Sequence, residues 1–466
     1  MDSHINKSTK KGTAAFLLSA ILLFLCSLSD GGCAPSANLA DRPPVVLITV
    51  DTTRADHLGC YGYGKNTSPN IDRLASSGVK FTNCYISMPS TDPSHISILT
   101  STYPRTHGVL KNGMEITNPD VTSLAEWFKG RGYETAAITS KQYLNPQNLK
   151  LNGFDYVSAP KRGMKAADEV SGEALEFIEA RGKGGFFLWV HFFDPHTSYA
   201  PPLPYVWPFV GKFDGQVNKQ YAFLGGSERW TEQEIAYTVG LYDGEIRYMD
   251  QHIGKIIDRL TAGFSTTSMS PFIILVADHG ETLGELQESH GFVFDHGKFL
   301  YNRTVKAPLI MSWKGKLPEG KTLDQLVESI DIAPTIIALM EGEKPERFSG
   351  ISFERSIFDA SVEHKRYAFI QRRYFEKPPQ PYLDCDQTAI VSKDYKLIEN
   401  PITGIELYDL KEDGGEKTNI ASAKPEVAKE LQARIAEWKE QYPPVKADYV
   451  VSKEKLENLR ALGYLP

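Results

Sequence analysis

Residues Val45 to Asp51 read VVLITVD: six consecutive apolar or β-branched residues closed by a carboxylate. An unbroken run of this kind, without the alternation of a half-exposed strand, fits a strand buried on both faces of a mostly parallel sheet. Two further runs repeat the design. Phe186 to Phe193 (FFLWVHFF) is followed by Asp194-Pro195-His196, and Phe272 to Ala277 (FIILVA) by Asp278-His279-Gly280-Glu281. Open α/β sheets bind ligands at the carboxyl ends of their strands, so chemistry-bearing residues that follow buried strands are candidates for a site. A loop or capping aspartate is the lesser alternative for Asp51.

Between these runs the pattern alternates with helices. Ser68-Pro69-Asn70 opens a short one. Leu124, Trp127 and Phe128 mark another, and the turn Gly130-Arg131-Gly132 leads from it to a strand at Thr135 to Ile138. A helix is expected from about Ala166 to Ala180. Thr231 and Glu234 form a capping box for one long helix, whose apolar positions run from Ile235 to Ile256. A further strand is expected at Ala307 to Trp313 and a helix within Ser329 to Met340. From about residue 345 shorter antiparallel strands, Ala389 to Leu397 and Ile405 to Leu410, precede an amphipathic helix marked by Val427, Leu431, Ile435 and Trp438. The reading is a larger α/β domain over 43–345 and a smaller α+β unit over 346–466.

The 466 residues carry 51 Lys and Arg against 58 Asp and Glu, a net charge of −7 with no basic cluster, which argues against a nucleic-acid surface. Residues 1–36 read as a leader. Lys7, Lys10 and Lys11 precede an apolar run from Ala14 to Leu28, and Gly31-Gly32-Cys33 offers a lipid acceptor, although Asp30 stands where lipoprotein leaders prefer Leu. The expectation is export to the periplasm or beyond, free or tethered through Cys33. Cys60, Cys84 and Cys385 remain in the mature chain, an odd number that does not suggest a disulfide scaffold. The Pro-, Gly- and aromatic-rich stretch from Ala200 to Trp230 is expected to shape a substrate entrance.

One more stretch carries chemistry: Ser90 to Val109, STDPSHISILTSTYPRTHGV. Thr91 stands just ahead of an expected helix with Asp92 as N-cap and Pro93 at its first position, so unpaired backbone N–H groups and the helix dipole would face an anion held at the hydroxyl. An ordinary cap is the alternative. Asp51, Thr91, Asp278 and His279 together supply two carboxylates, an imidazole and a hydroxyl. That donor set suits one divalent cation (Mn, Zn, Mg or Ca) able to lower the pKa of the Thr91 hydroxyl for attack on a tetrahedral oxyanion ester.

Read as blocks, ITVDTTRADHLGCYGY, TSPNIDRLASSGVKFTN, TDPSHISILTSTYPRTHGV, HFFDPHTSYAPP, LYDGEIRYMDQHIG, LVADHGETLGE, HGKFLYNRTVKAPLIM and IDIAPT, the chain from about Pro43 to Met340 resembles the sulfatase family of the alkaline-phosphatase superfamily. ELYDLKEDGGEKTNIA resembles the family's C-terminal domain. The resemblance implies an alkaline-phosphatase-like α/β sandwich with a mixed, mostly parallel central sheet, a hydrolase acting on phosphate or sulfate esters, and Asp51, Asp278 and His279 as metal ligands around the Thr91 nucleophile. It also departs from the family. Sulfatases carry Cys or Ser in C/S-x-P-S-R, the residue oxidised to formylglycine; here Thr91 and His95 take the first and last places. The G-K-W-H segment has become Thr139-Ser140-Lys141-Gln142, with Lys141 one place out of register, and Lys298 lies beside the leaving-group lysine position. Such changes look like the Thr-nucleophile phosphoesterase and phosphotransferase branches.

His196 and His296 are therefore expected to serve as proton donors, and His95, His191, Asp194, His290 and Lys298 as substrate contacts. Asp194 and His196 with His290 or His296 could instead hold a second ion. Arg54 is expected to tie the strand-end loop together. The functions open at this level are phosphoester hydrolysis through Thr91, sulfate-ester hydrolysis without formylglycine, and phosphoryl transfer to envelope lipids or glycans. The substrate's organic half, glycan, lipid or small molecule, and the oligomeric state are not legible.

Overall fold

The computed structural model of the chain describes residues 42–181, 184–211, 229–264, 269–374 and 380–445. The leader and most of the 200–230 stretch lie outside the described residues. The main sheet is built from β1 (Val45–Val50), β2 (Val79–Tyr85), β3 (Glu134–Thr139), β4 (Tyr156–Ser158), β5 (Phe186–Phe192) and β6 (Phe272–Ala277). After a two-stranded ribbon of β7 (Thr282–Leu283) and β8 (Phe294–Asp295), β9 (Lys306–Trp313) and β10 (Lys321–Glu328) complete it. The order is β10-β2-β9-β6-β1-β5-β3-β4, and only β9 runs antiparallel to its neighbours. This is the mixed, mostly parallel sheet expected.

Every residue of β1 is buried, and its period of two divides it between two cores. Val46, Ile48 and Val50 join the core beneath the helices Pro69–Ser76, Ala167–Arg181 and Glu232–Gly263; Val45 and Leu47 join the core under Thr91–Thr100, Leu124–Lys129 and Ile332–Leu339. The same parity runs through β5 and β6. Consequently Thr49, His191 and Val276, which are neighbours in register, face the Thr91 helix, and Asp51 and Asp278, one period on from Thr49 and Val276, should do so too. The backbone keeps this register past the strand ends, with the Asp51 N–H donating to Phe192 O at 2.9 Å and the Asp278 N–H to Val50 O at 3.2 Å.

Three strands of the main sheet, β2, β4 and β10, were not anticipated, and neither were the short β7 and β8 nor a strand at Ala368–Arg372. β2 (VKFTNCY) and the edge strand β10 (KTLDQLVE) alternate polar with apolar residues and lack the continuous apolar run that marked β1, β5 and β6. The run Ala389 to Leu397 is likewise not one strand. It is a hairpin, β12 (Gln387–Val391) and β13 (Tyr395–Asn400), in an antiparallel sheet with β11 (Ala368–Arg372) and β14 (Gly404–Asp409), because Ser392-Lys393-Asp394 supplies a turn within it. One face of this sheet packs Ile390, Leu397 and Leu407 against Ala428, Leu431 and Ile435 of the helix Pro425–Gln441, and Ala389, Val391 and Ile398 on the other join the main core. Cys60, Cys84 and Cys385 are free thiols.

The small sheet is held to the large one by a buried ion cluster. Lys365 Nζ donates to Glu328 Oε2 at 2.6 Å and Asp331 Oδ2 at 2.7 Å, and Glu328 also accepts from Phe369 N and Tyr103 OH. Removing one partner of such a cluster leaves the others charged and buried. Lys365→Met is expected to cost about 3–5 kcal/mol of stability, read as a drop in the urea midpoint at unchanged slope.

Candidate active site

The helix carrying Thr91 begins two residues earlier than its sequence suggests. It spans Thr91–Thr100 with Ser90 in the capping position, so Asp92 lies in the first turn and is not the N-cap. Asp92 instead accepts the Gly113 N–H at 2.6 Å. The expected set of unpaired N–H groups is also largely spent: Asp92 N donates to Asn112 Oδ1 at 2.9 Å, Ser94 N to Ser90 O at 3.0 Å, and Pro93 has none. An anion at Thr91 must therefore be held mainly by side chains.

Those side chains converge from four strand ends and the helix. Ligand atoms of Asp51, Asp278 and His279 all lie within 4.8 Å of one another, and all three residues are fully buried. His279 Nδ1 is 3.0 Å from Gly280 O and must donate to it, which fixes the tautomer and leaves the Nε2 lone pair facing Asp51 Oδ1 at 3.6 Å, Asp278 Oδ2 at 3.5 Å and Thr91 Oγ1 at 3.5 Å. Asp278 Oδ1 accepts the N–H groups of His279 and Thr52, and Ser94 Oγ donates to Asp278 O. Both oxygens of Asp51 and Oδ2 of Asp278 are buried without a hydrogen-bond partner. Burial, and for Asp278 the charge of Asp51 as well, pushes both carboxyls well above the usual range. Two carboxylates buried beside each other with orphaned oxygens are costly unless a cation stands between them. The donor set of two carboxylates, one imidazole nitrogen and the Thr91 hydroxyl fits a divalent metal ion.

Around this group the site is rich in neutral imidazoles. His95 donates from Nδ1 to Thr91 O at 2.7 Å and lies 3.5 Å from Asp278 Oδ2; burial depresses its pKa to about 3. His191 pairs through Nδ1 with Thr49 Oγ1 at 3.3 Å, sets Nε2 3.9 Å from Asp51 Oδ2, and meets the His95 ring at 4.6 Å. The Nε2 atoms of both are buried without a partner. The His296 ring lies tilted 4.6 Å from that of His279 and edge-on 4.9 Å from that of His196, with Nδ1 held 3.3 Å from Glu281 Oε2. His196 lies on the Phe193 ring at 4.2 Å.

Three expected contacts have other partners. Asp194 is hydrogen-bonded to Glu245 of the long helix, whose Oε1 accepts the Ala200 N–H at 2.7 Å. Burial raises Asp194 to about 6, against the lowering effect of the hydrogen bond from Glu245, and burial together with the charge of Asp194 raises Glu245 to about 9, so the pair shares a proton and fastens the loop carrying His196. Because the folded pKa values are raised, the pair stabilises the fold below the ordinary carboxylate range and that contribution is lost as pH rises through about 6 to 9. Glu245→Gln should flatten the fall in the urea midpoint between pH 5 and 9 relative to the unsubstituted protein. His290 touches Ser289, Phe299, Tyr301 and Tyr382, an aromatic layer on the side of the small sheet; none of these contacts is with the Asp51 group. Lys298 donates to Asp295 and lies over the Phe292 ring.

Lys141 was set aside by its register, yet it is the cation nearest this chemistry. It is buried, packs on the Phe193 ring at 3.9 Å, and feels Asp51; desolvation lowers it to about 8, with Asp51 opposing that shift. The segment that follows β3 brings it there. Glu281 was also missed as a partner for His296, although it stands two residues beyond His279 in the strand-end segment. Arg54 does tie the loop: it bridges Asp56 and Glu285, donates to Glu281 O at 3.1 Å, and its N–H reaches Tyr242 OH.

With this geometry in view, the family model described as Sulfatase matches residues 43–342. The chain belongs to the sulfatase family. A second model, the N-sulphoglucosamine sulphohydrolase C-terminal region, matches residues 288–441. Among curated relatives, the uncharacterized sulfatase YidJ of Escherichia coli is 24% identical, over 81% of this chain and 83% of its own. An N-acetylglucosamine-6-O-sulfatase of Bacteroides thetaiotaomicron is also 24% identical, over 91% of each. Of solved structures, a protein in complex with its substrate D-glucosamine-2-N,6-O-disulfate superposes with a TM-score of 0.72 at 21% identity, covering 86% of this chain and 98% of that one. The phosphonate monoester hydrolase of Agrobacterium radiobacter gives 0.71 at 19%, covering 89% and 99%. The sandwich, with its small C-terminal antiparallel sheet, is thus the sulfatase fold, and the protein is a hydrolase of the sulfate- or phosphate-ester class.

Proposed function

We propose that this sulfatase-family protein is a metal-dependent ester hydrolase that works through a covalent Thr91 ester and prefers phosphoesters to sulfate esters. One observation carries the reading: the orphaned oxygens of Asp51 and Asp278 and the Nε2 of His279 face the Thr91 hydroxyl from one side. A divalent ion held by Asp51, Asp278, His279 and Thr91 would lower the pKa of the hydroxyl and draw charge from the ester's oxygens. Thr91 Oγ1 attacks phosphorus, the new O–P bond forming as the bond to the leaving oxygen breaks. Lys141, His95 and His191 line the ester's remaining oxygens, and His196 and His296 exchange a proton with the leaving oxygen. Water then attacks the phosphothreonine and restores the hydroxyl.

Threonine offers no route to the formylglycine aldehyde, and His95 is a neutral group where sulfatases place Arg. Both features favour phosphorus over sulfur. The competing reading is sulfate-ester hydrolysis, supported by the two sulfated-sugar enzymes among the relatives and neighbours. Purified protein assayed side by side with aryl phosphate, phosphodiester, phosphonate and sulfate esters, each with Mn²⁺, Mg²⁺, Ca²⁺ and Zn²⁺, decides. Faster turnover of the phosphorus esters is expected; arylsulfate outrunning arylphosphate in protein free of aldehyde would reject the Thr91 route. Release of phosphate to an added alcohol in preference to water would assign it to phosphoryl transfer.

Export belongs to the same proposal, the substrate being a glycan, lipid or small-molecule ester outside the cytoplasm. Mass spectrometry of the native N-terminus is expected to find the leader gone, with either a diacylglyceryl Cys33 or a start near Ala37. An intact Met1 would sink export in both forms.

A further inference from the structure

A second cavity, of about 900 Å³, opens where β2, β9 and β10 meet the small C-terminal sheet. Asp51, Thr91, Asp278 and His279 take no part in its lining. Its volume is in the upper range for small-ligand sites, enough for an oligosaccharide of a few residues. The walls mix apolar and polar groups. Thr82, Asn83 and Gln325 come from the strands, and Ser392 and Lys393 from the β12–β13 turn.

The charges inside are unevenly matched. Arg54 and Lys365 line the cavity but are fully paired, as described above, and Glu416 is taken by Lys396 and the Asn302 N–H. Lys306 is different. It begins β9, is half-buried, and its ammonium has no hydrogen bond or ion pair among the described residues; Glu416 and Asp56 act on it only at longer range, and desolvation lowers its pKa. Arg303 beside it has one backbone acceptor, Gly415 O at 3.1 Å. Lys393 and Lys411 stand at the same mouth, with Lys411 3.7 Å from Asp394. An ammonium partly withdrawn from water without a directly paired carboxylate is costly, and a bound oxyanion relieves that cost.

We propose that this cavity is an accessory binding site for an oxyanion (a phosphate, sulfate or carboxylate group), held by Lys306 and Arg303 and separate from the Thr91 centre. The anion can arrive free or as part of an acidic oligosaccharide, for which the hydroxyl- and amide-lined wall provides the remaining contacts. The site touches the centre's surroundings at two places: Arg54, in its lining, donates to Glu281 O, and Arg303 O lies 2.0 Å from where a Cβ on Gly280 would stand, with the Gly280 N–H donating to Thr304 O at 2.9 Å.

Calorimetric titration of the Asp278→Asn protein, in which the Thr91 centre is disabled, tests this with three probes: inorganic phosphate, inorganic sulfate and a sulfated tetrasaccharide. At least one is expected to bind, and adding Lys306→Met should weaken it tenfold or more, with Arg303→Gln weakening it further. Because Lys306 has no partner to lose, Lys306→Met is expected to melt no lower than its parent. Binding of the inorganic ions would identify a free-anion site, and binding of the tetrasaccharide alone a glycan site. Failure of all three probes to bind Asp278→Asn, or equal binding with and without Lys306, overturns the proposal without touching the Thr91 mechanism.

Discussion

Replacing Thr91 by Ala is expected to lower turnover on the best ester by a thousandfold or more while leaving the melting temperature nearly unchanged. The two halves rest on different facts. Deleting a covalent nucleophile removes the bond-forming group itself, and what survives is the catalysis owed to binding and charge placement. The fold loses little, because Ser90 occupies the capping position and the side-chain oxygen of Thr91 has only the 3.5 Å contact to His279. Thr91→Ser keeps the hydroxyl and should keep part of the activity. Mass spectrometry of acid-quenched enzyme gives a second readout: a phosphorylated peptide covering Thr91 in the unsubstituted protein and none in Thr91→Ala. Near-normal rates in Thr91→Ala would place the nucleophile elsewhere.

The second large effect concerns the ion. Without added metal, Asp278→Asn should be at least as stable as the unsubstituted protein, since it removes one of two carboxylates buried side by side with unpaired oxygens. With metal the order should reverse. An ion that binds only the folded chain stabilises it by about 2.7 kcal/mol at a hundred times its dissociation constant, and the variant should gain little of this. Elemental analysis should find metal in the unsubstituted protein and a sharp loss in Asp278→Asn and in His279→Ala, with activity falling in step. Full metal content in both variants would refute the ligand assignment. Equal melting shifts on adding Mn²⁺ or Zn²⁺ would do the same.

The sequence by itself determined the sheet's centre and the order of its main helices, and it singled out Asp51, Thr91, Asp278 and His279, which the fold brings together. Continuous apolar runs can only be buried on both faces, and strand parity then carries the residue after each run to a known side. The capping box at Thr231 and Glu234 was equally legible, because it is a local hydrogen-bond exchange within four residues. Tertiary structure alone decided the rest. The alternating strands β2 and β10 are strands because neighbours complete their ladders, and the first helical residue was fixed by Asn112 drawing in the Asp92 N–H. Register in sequence placed Lys141 outside the site, but the segment that follows β3 brings its side chain to Asp51's surroundings. Asp194 was separated from the site by a partner, Glu245, that lies about fifty residues further along the chain. Spacing reports what one element can present; which of two acids keeps a proton, and which lysine is left without a directly paired carboxylate, depends on groups that only folding brings together.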